Sequence, residues 1–454
     1  MQHSRTIKLR SLSLLATLIT FSTTGYAQQE VSATLAGHAV LPVNSTISAP
    51  TDAAKDLQNS GKYTTGSRIE TLGSVEGKSA DRPTGMHVPI KGQPLQGHSG
   101  IKRMSDGTYW VLTDNGYGNK VNSPDSMLYL TQYDIDFKTG KATPLKTVFF
   151  HDPDKIIPFH IINESTDKRY LTGSDFDPES FQFADGALWV GEEFGPYLIK
   201  MDLNGKVLAL FETYVDGKKV VSPDHYQVTT PAKPSDSVSF QVNRSKGFEG
   251  MASSPDGSKL YPMLEGALWD SEKQDYESVE GKRAARILEF DVKKQQWTGR
   301  SWLYVFEDNQ NAIGDFNMID DTHGLIIERD NGEGTADKAC AEGAADTQHC
   351  FSHLAKFKRV YRVEFSDKNQ GKPVNKQAYV DLMNIKDPEG VAKKPLNNGV
   401  FTFPFFTIEN VDVVDGEHII VGNDNNYPFS SSREPNQADD NEFILLKVPA
   451  LLNP

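Results

Sequence analysis

Apolar residues in this chain fall in short runs that alternate with polar turns, and the spacing of an amphipathic helix is scarce. The runs recur as a unit: a short strand, a turn, then a β-rich strand. One copy reads His98-Ser99-Gly100-Ile101, then Asp106-Gly107, then Tyr109-Trp110-Val111-Leu112, and ends Thr113-Asp114-Asn115. A second runs Pro178-Glu179-Ser180-Phe181, Asp185-Gly186 and Leu188-Trp189-Val190, ending Glu192-Glu193. A third runs Phe248-Glu249-Gly250-Met251, Asp256-Gly257 and Leu260-Tyr261, ending at Glu265. A fourth runs Phe316-Asn317-Met318-Ile319 and Leu325-Ile326-Ile327, ending Glu328-Arg329-Asp330. A fifth runs Glu409-Asn410-Val411, Asp415-Gly416 and Ile419-Ile420-Val421, ending Asn423-Asp424.

Asp-Gly is a hairpin signal because glycine takes positive φ without steric cost. The turn glycines stand roughly 70 to 90 residues apart, the length of a four-stranded blade with one long loop. This predicts an all-β fold, a β-propeller of six blades. The sixth blade would come from the residues before Gly97 and be closed by the C-terminal strand, so that no sheet edge is left open. Two packed β-sandwiches are the alternative. Polar stretches at 223–239, 271–282 and 430–441 read as surface insertions. Residues 61–454 then form a single propeller domain, and residues 28–60 are expected to be loosely ordered.

Residues 1–27 stand outside that pattern. Arg5, Lys8 and Arg10 precede a short apolar run from Leu12 to Phe21, and Gly25-Tyr26-Ala27 puts small residues where a signal peptidase reads them. A spanning helix needs about 20 apolar residues, so the segment reads as a signal peptide cleaved near Ala27. No later stretch is apolar enough for stable membrane insertion, and the protein is expected in the periplasm or outside the cell. Cleavage removes three basic residues and no acidic one, moving the net charge from −14 to −17. Such a surface repels nucleic acid and anionic lipid and attracts cations. The two cysteines, Cys340 and Cys350, are expected to pair in an oxidising compartment.

In each hairpin the Asp-Gly turn lies at one end and both free strand ends return to the other. The turns are chemically plain, whereas the free ends are acidic. First strands of a propeller line its central channel, so Glu179, Glu249, Asn317 and Glu409 would converge on the axis from separate blades. Carboxylates gathered without enough basic partners repel one another and hold protons more tightly. A hard divalent cation relieves this, and Ca²⁺ takes carboxylate and amide oxygens in number. These four residues are the expected metal ligands and Ca²⁺ the expected ion. Asp114, Asn115, Arg244, Asn423 and Asp424 are expected to contact the substrate. No His-Glu-x-x-His, phosphate-cradling glycine loop or EF-hand loop occurs. Gly97-His98-Ser99-Gly100 departs from a nucleophile elbow, because Ile101 stands where that motif needs glycine.

The segments Asp177-Pro178-Glu179-Ser180-Phe181, Gly247-Phe248-Glu249-Gly250-Met251-Ala252 and Glu328-Arg329-Asp330 resemble the esterase-like phytase domain family of exported bacterial proteins. The resemblance covers roughly residues 65 to 450. More distantly, the acids at strand starts are similar to those of calcium-dependent lactonases and calcium propeller phytases. The fourth repeat departs from the pattern with Phe316 where others have glutamate, and the first has Ser99 there. The basic residues near the acidic face are Arg329, Arg244, Lys246 and Arg433. The family implies hydrolysis of a small-molecule phosphate ester or carboxylic ester. In such a reaction Glu192, Glu193 or Asp330 would take a proton from water, and Arg329 would hold the developing anion. The alternative from another class is a non-catalytic binding propeller, since fold does not specify function.

Overall fold

The structure, a computed structural model, describes residues 28–233 and 237–454. The expected signal peptide lies outside the described residues. Strand β1 (Ala33–Leu41) comes first in the chain and last in the architecture. Blade one follows with β2 (His98–Arg103), β3 (Tyr109–Thr113), β4 (Tyr129–Asp136) and β5 (Lys141–Phe149). Blade two is β6 (Pro178–Ala184), β7 (Ala187–Glu192), β8 (Tyr197–Met201) and β9 (Val207–Glu212). Blade three is β10 (Phe248–Ser253), β11 (Lys259–Leu264), β12 (Lys282–Asp291) and β13 (Gln296–Val305). Blade four is β14 (Ala312–Met318), β15 (His323–Arg329), β16 (Lys358–Glu364) and β17 (Asn375–Asp381). Blade five is β18 (Thr407–Val413), β19 (His418–Asp424) and β20 (Asn441–Lys447), with β1 as its fourth strand.

The fold is the all-β propeller that the alternation predicts. Its first strands β2, β6, β10, β14 and β18 stand side by side around a channel, and the ring closes where β2 meets both β6 and β18. The ring therefore has five blades, not the six expected. Each neighbouring pair of blades buries its own apolar layer, for example Leu112, Leu130, Leu188 and Val190 between blades one and two. Between blades four and five the layer includes Leu35, Ile327, Val360 and Ile444. Sheet faces that each bury half a core cannot be removed singly, which binds the ring into one unit.

Two expectations for the N-terminal region are corrected. Residues 28–60 are not loosely ordered, because β1 pairs antiparallel with β20 through Leu35↔Leu446 and Ala39↔Phe443. Ala33, Leu35, Ala39 and Leu41 are all buried. Only small and mixed residues carry this alternation, and its partner lies at the far end of the chain. Residues before Gly97 do not form a blade either. They make ribbons, Thr46–Ile47 with Gln93–Pro94, Asn59–Ser60 with Ile90–Lys91, and Val75–Ser79 with Arg82–Val88. Pro83, Pro89 and Pro94 deprive this stretch of the N–H groups an interior strand needs. The ribbons instead cover loops after β3 and β19. There Val88 packs with Tyr117 and Tyr427, and Thr84 Oγ1 donates to the Pro428 carbonyl at 2.8 Å. Cys340 and Cys350 are joined as a disulfide in the loop after β15. No helix among the described residues is long and apolar enough to cross a membrane.

Candidate functional site

Every first strand carries a β-bulge near its start. Pairing steps from Pro178↔Glu192 to Ser180↔Gly191 in β6, from Phe248↔Leu264 to Gly250↔Met263 in β10, and from Ile408↔Asn423 to Asn410↔Gly422 in β18. The extra residues are Glu179, Glu249 and Glu409. A bulge re-aims its side chain out of the strand's alternation. Here the three carboxylates meet, with one oxygen of each within 4.8 Å of the others. In β2 and β14 the bulges fall at Ser99-Gly100 and Gly314-Asp315. Gly314 has no room for a side chain, since a Cβ there would lie 1.9 Å from the Ile408 carbonyl oxygen. Ser99 Oγ donates to Glu409 Oε2 at 3.1 Å.

Asn317, expected as the fourth ligand, does not join them. It sits further along β14, donating Nδ2 to the Val411 carbonyl at 2.8 Å and accepting from Gln182 Nε2 at 2.8 Å and Lys102 Nζ at 3.1 Å. Lys102 also pairs with Asp412 at 3.0 Å. These side chains tie four first strands together across the channel and floor it beneath the carboxylates. The local likeness of Phe316-Asn317 to Phe248-Glu249 puts the register three residues out.

A second set of side chains comes from the ends of the second strands. The N–H groups of Asp114, Glu193 and Glu265 donate to the carbonyls of Gly97, Asp177 and Gly247, each two residues before its blade's bulge. Arg329 and Asp424 pair with Ala312 and Thr407, again two residues before. The five positions are thus equivalent, and they hold four acids and one arginine. Asp177 adds a further acid from the chain just ahead of β6.

Six of these carboxylates form three overlapping groups: Glu179, Glu249 and Glu409; Asp177, Glu179 and Glu193; Glu193, Glu249 and Glu265. Two fixed cations face them. Lys246 pairs with Glu265, and Arg329 Nη2 lies 3.3 Å from Glu409 Oε1. Oxygens Asp177 Oδ1, Glu193 Oε1 and Glu249 Oε1 are buried and have no hydrogen-bond partner. Burial pushes the carboxyls of Glu179, Glu193 and Glu249 well above the usual range. Repulsion adds to it, from Asp177 on Glu179, from Glu265 on Glu193 and from Glu409 on Glu249. Burial also raises Asp177 to about 6, and burial with repulsion from Asp177 raises Asp114 to about 7. Asp424 is raised well above its range by burial, Glu409 and Asp114. Buried carboxylate oxygens without partners fit a hard divalent cation, whose ligands are oxygens in number.

Several expected site residues serve the framework instead. Glu192 accepts from the backbone N–H groups of Phe194 at 2.8 Å, Gly195 at 2.7 Å and Tyr197 at 2.7 Å, so it braces the turn after β7. Asp330 accepts from the N–H groups of Gly332, Lys356 and Phe357 and pairs with Lys358 at 3.0 Å. Neither belongs to the three carboxylate groups. Asn115 Oδ1 accepts from Gly118 N at 2.9 Å. Asn423 accepts from Glu442 N at 2.7 Å and donates to the Asp440 carbonyl at 3.0 Å. Arg244 is an exposed side chain paired with Asp224, and Arg433 is paired with buried Glu442. The structure brings Glu179, Glu193, Glu249, Glu409, Arg329, Asp114 and Asp424 together. It adds Asp177, Glu265 and Lys246, to which sequence reasoning assigned no role. Their place beside the bulge glutamates in the repeats was the available signal.

Comparison with known proteins bears on this site. The phytase-like family profile, described by the esterase-like activity of phytase, matches residues 93–427 and so spans blades one to four and the start of blade five. An uncharacterized secreted protein from Arthroderma benhamiae is 33% identical over 119 residues, 24% of this chain and 22% of that protein. The match thus covers well under two thirds of that relative. Among solved structures, a luciferin-regenerating enzyme superposes with a TM-score of 0.32 at 11% identity, covering 77% of this chain and 79% of that one. The Dos1 propeller superposes with a TM-score of 0.29 at 8% identity, covering 80% and 68%. The family profile takes in Glu179, Glu193, Glu249, Arg329 and Glu409, and the chain belongs to the phytase-like family defined by the esterase-like activity of phytase.

Proposed function

We propose that this chain is an exported, cation-dependent hydrolase of small phosphate esters or carboxylic esters, acting at the acidic mouth of the propeller channel. The observation that carries the reading is the convergence of six carboxylates from three blades with three buried oxygens left unpartnered. Membership of the phytase-like family supports ester hydrolysis. The leader at residues 1–27, the paired cysteines and the secreted relative support export.

Glu179, Glu249 and Glu409 would hold the cation, with Glu193 and Asp177 beside them, and Ca²⁺ suits this set. Bound there, a divalent ion supplies Lewis-acid polarisation of the ester oxygen and a lowered pKa for water. The protein's own groups do the rest. Arg329 is anchored to Glu409 and Asn331 but keeps Nε without a partner, so it can donate to an anionic ester oxygen. Asp114, which follows β3 beside these carboxylates and is raised by burial and repulsion from Asp177 when no cation is bound, would be the group that takes the proton from water. The side chains flooring the channel restrict approach to the acidic face.

The test is turnover of aryl phosphates, aryl esters and lactones by the purified protein, with CaCl₂ and with EDTA. Turnover that EDTA abolishes and Ca²⁺ restores is the expected result. Silence on every substrate under both conditions overturns the hydrolase reading in favour of a binding platform.

A further inference from the structure

We infer that the site holds two divalent cations that share Glu179, an inference that rests on the cation-dependent reading above. Three features of the cluster lead there. First, the three carboxylate groups overlap pairwise at single residues: Glu179, Glu193 and Glu249 each belong to two of them. No one group of mutually close oxygens contains all six, and Asp177, Glu193 and Glu265 are not in the group of Glu179, Glu249 and Glu409.

Second, the charge does not balance with one ion. Six carboxylates face two fixed cations, Lys246 and Arg329. A single divalent ion leaves two negative charges in a buried site, where an unpaired charge is strongly disfavoured. Two divalent ions offset the charge of these six; Asp114 and Asp424, which stand beside them, belong to none of the three groups.

Third, the fixed cations already mark which carboxylates need no second ion. Lys246 takes Glu265, and Arg329 takes Glu409. Asp177, Glu179 and Glu193 have no lysine or arginine at ion-pair distance among the described residues. Asp177 and Glu193 are each only 3% exposed, and Asp177 Oδ1 and Glu193 Oε1 have no hydrogen-bond partner. Unpartnered oxygens this deeply buried are rare in folded proteins. Two belong to this group, and the group around Glu265 also has two, Glu193 Oε1 and Glu249 Oε1, but already holds Lys246. The second ion therefore belongs to Asp177, Glu179 and Glu193, and the first to Glu179, Glu249 and Glu409. Glu179 is the residue common to both, so its carboxylate bridges them. Lys246 keeps the third group, around Glu265, from taking an ion of its own.

The experiment is a count of ions. The purified full-length product is stripped with EDTA, exchanged into ammonium acetate and titrated with CaCl₂, and native mass spectrometry reads the Ca²⁺ bound per chain. The expected result is two for the natural sequence, one for Asp177→Asn and one for Glu193→Gln. Glu179→Gln should hold none at the concentration that fills the natural protein. Circular dichroism confirms that each variant is folded, and Glu193→Gln replaces Asp177→Asn if the latter is not. One ion in the natural protein overturns the two-ion inference and leaves the single-cation reading standing. No ion overturns both. Two ions retained by both Asp177→Asn and Glu193→Gln overturn the placement of the second.

Discussion

Arg329 holds its guanidinium 3.3 Å from Glu409 and thereby occupies the place where every other blade ends its second strand in an acid. Blade four is the odd member at this place: its second strand ends in a base instead of Asp114, Glu193, Glu265 or Asp424, while its bulge at Gly314, like blade one's at Ser99, carries no glutamate. The pseudo-fivefold ring is thus acidic on four sides and basic on one.

Arg329→Met removes one partner of a buried ion pair and leaves Glu409 uncompensated. Breaking such a pair costs about 3–5 kcal/mol. Urea denaturation in EDTA should show this loss, and saturating Ca²⁺ should recover part of it. An unchanged midpoint in EDTA would mean that the pair contributes nothing.

Stability should depend on pH in the sense opposite to ordinary acid denaturation. Burial and mutual repulsion raise Asp177 to about 6 and Asp114 to about 7, against roughly 3.9 for an unfolded aspartate. The native protein then binds more protons than the unfolded chain between about pH 4 and pH 7, so stability falls as pH rises through that window. In EDTA the melting temperature should be several degrees higher near pH 5 than near pH 7.5. Ca²⁺ competes with those protons and should close the gap. A rising melting temperature from pH 5 to 7.5 in EDTA would contradict this.

Leu35 lies on β1 and is 1% exposed between blades four and five. Leu35→Ala should cost about 2–5 kcal/mol by calorimetry or denaturant titration. Deleting residues 28–41 should do worse, because it strips the fourth strand from blade five and exposes the edge of β20. Size-exclusion chromatography should then find aggregate in place of monodisperse protein.

Glu192→Gln tests whether that residue is framework. The amide places an NH₂ where a carboxylate oxygen accepted backbone N–H groups. Leaving such a buried donor unsatisfied costs about 1–3 kcal/mol. The Ca²⁺ count should not change. Full stability with lost turnover would return Glu192 to the chemistry.

Cys340 and Cys350 close a short loop, with a sequence separation of 10. Loop-closure entropy for this length is about 2–3 kcal/mol. Cys340→Ser with Cys350→Ser should lower stability by no more than that, and alkylation of the unreduced natural protein should find no free thiol.

The sequence by itself determined the repeat and its chemistry. Asp-Gly turns and alternating strands are local signals, so the propeller and the acidic ends of its hairpins were legible. Glu179, Glu249 and Glu409 were placed together because their surrounding phrases share one register. The tertiary structure alone decided what depends on distant partners. The blade number turned on β1, whose mixed Ala, Thr, Gly and His positions read as weak pattern until β20 pairs with them. Asn317 was misplaced because Phe316-Asn317 resembles Phe248-Glu249 locally, whereas only the ladder between β14 and β15 locates the bulge three residues earlier, at Gly314-Asp315. Glu192 and Asp330 look like free acids in a string of letters. They are not free because backbone N–H groups of loops that fold back on them occupy their oxygens, a matter of three-dimensional chain path. Asp177 and Glu193 join the site for the converse reason: burial leaves an oxygen of each without a partner, and burial is a property no local sequence carries.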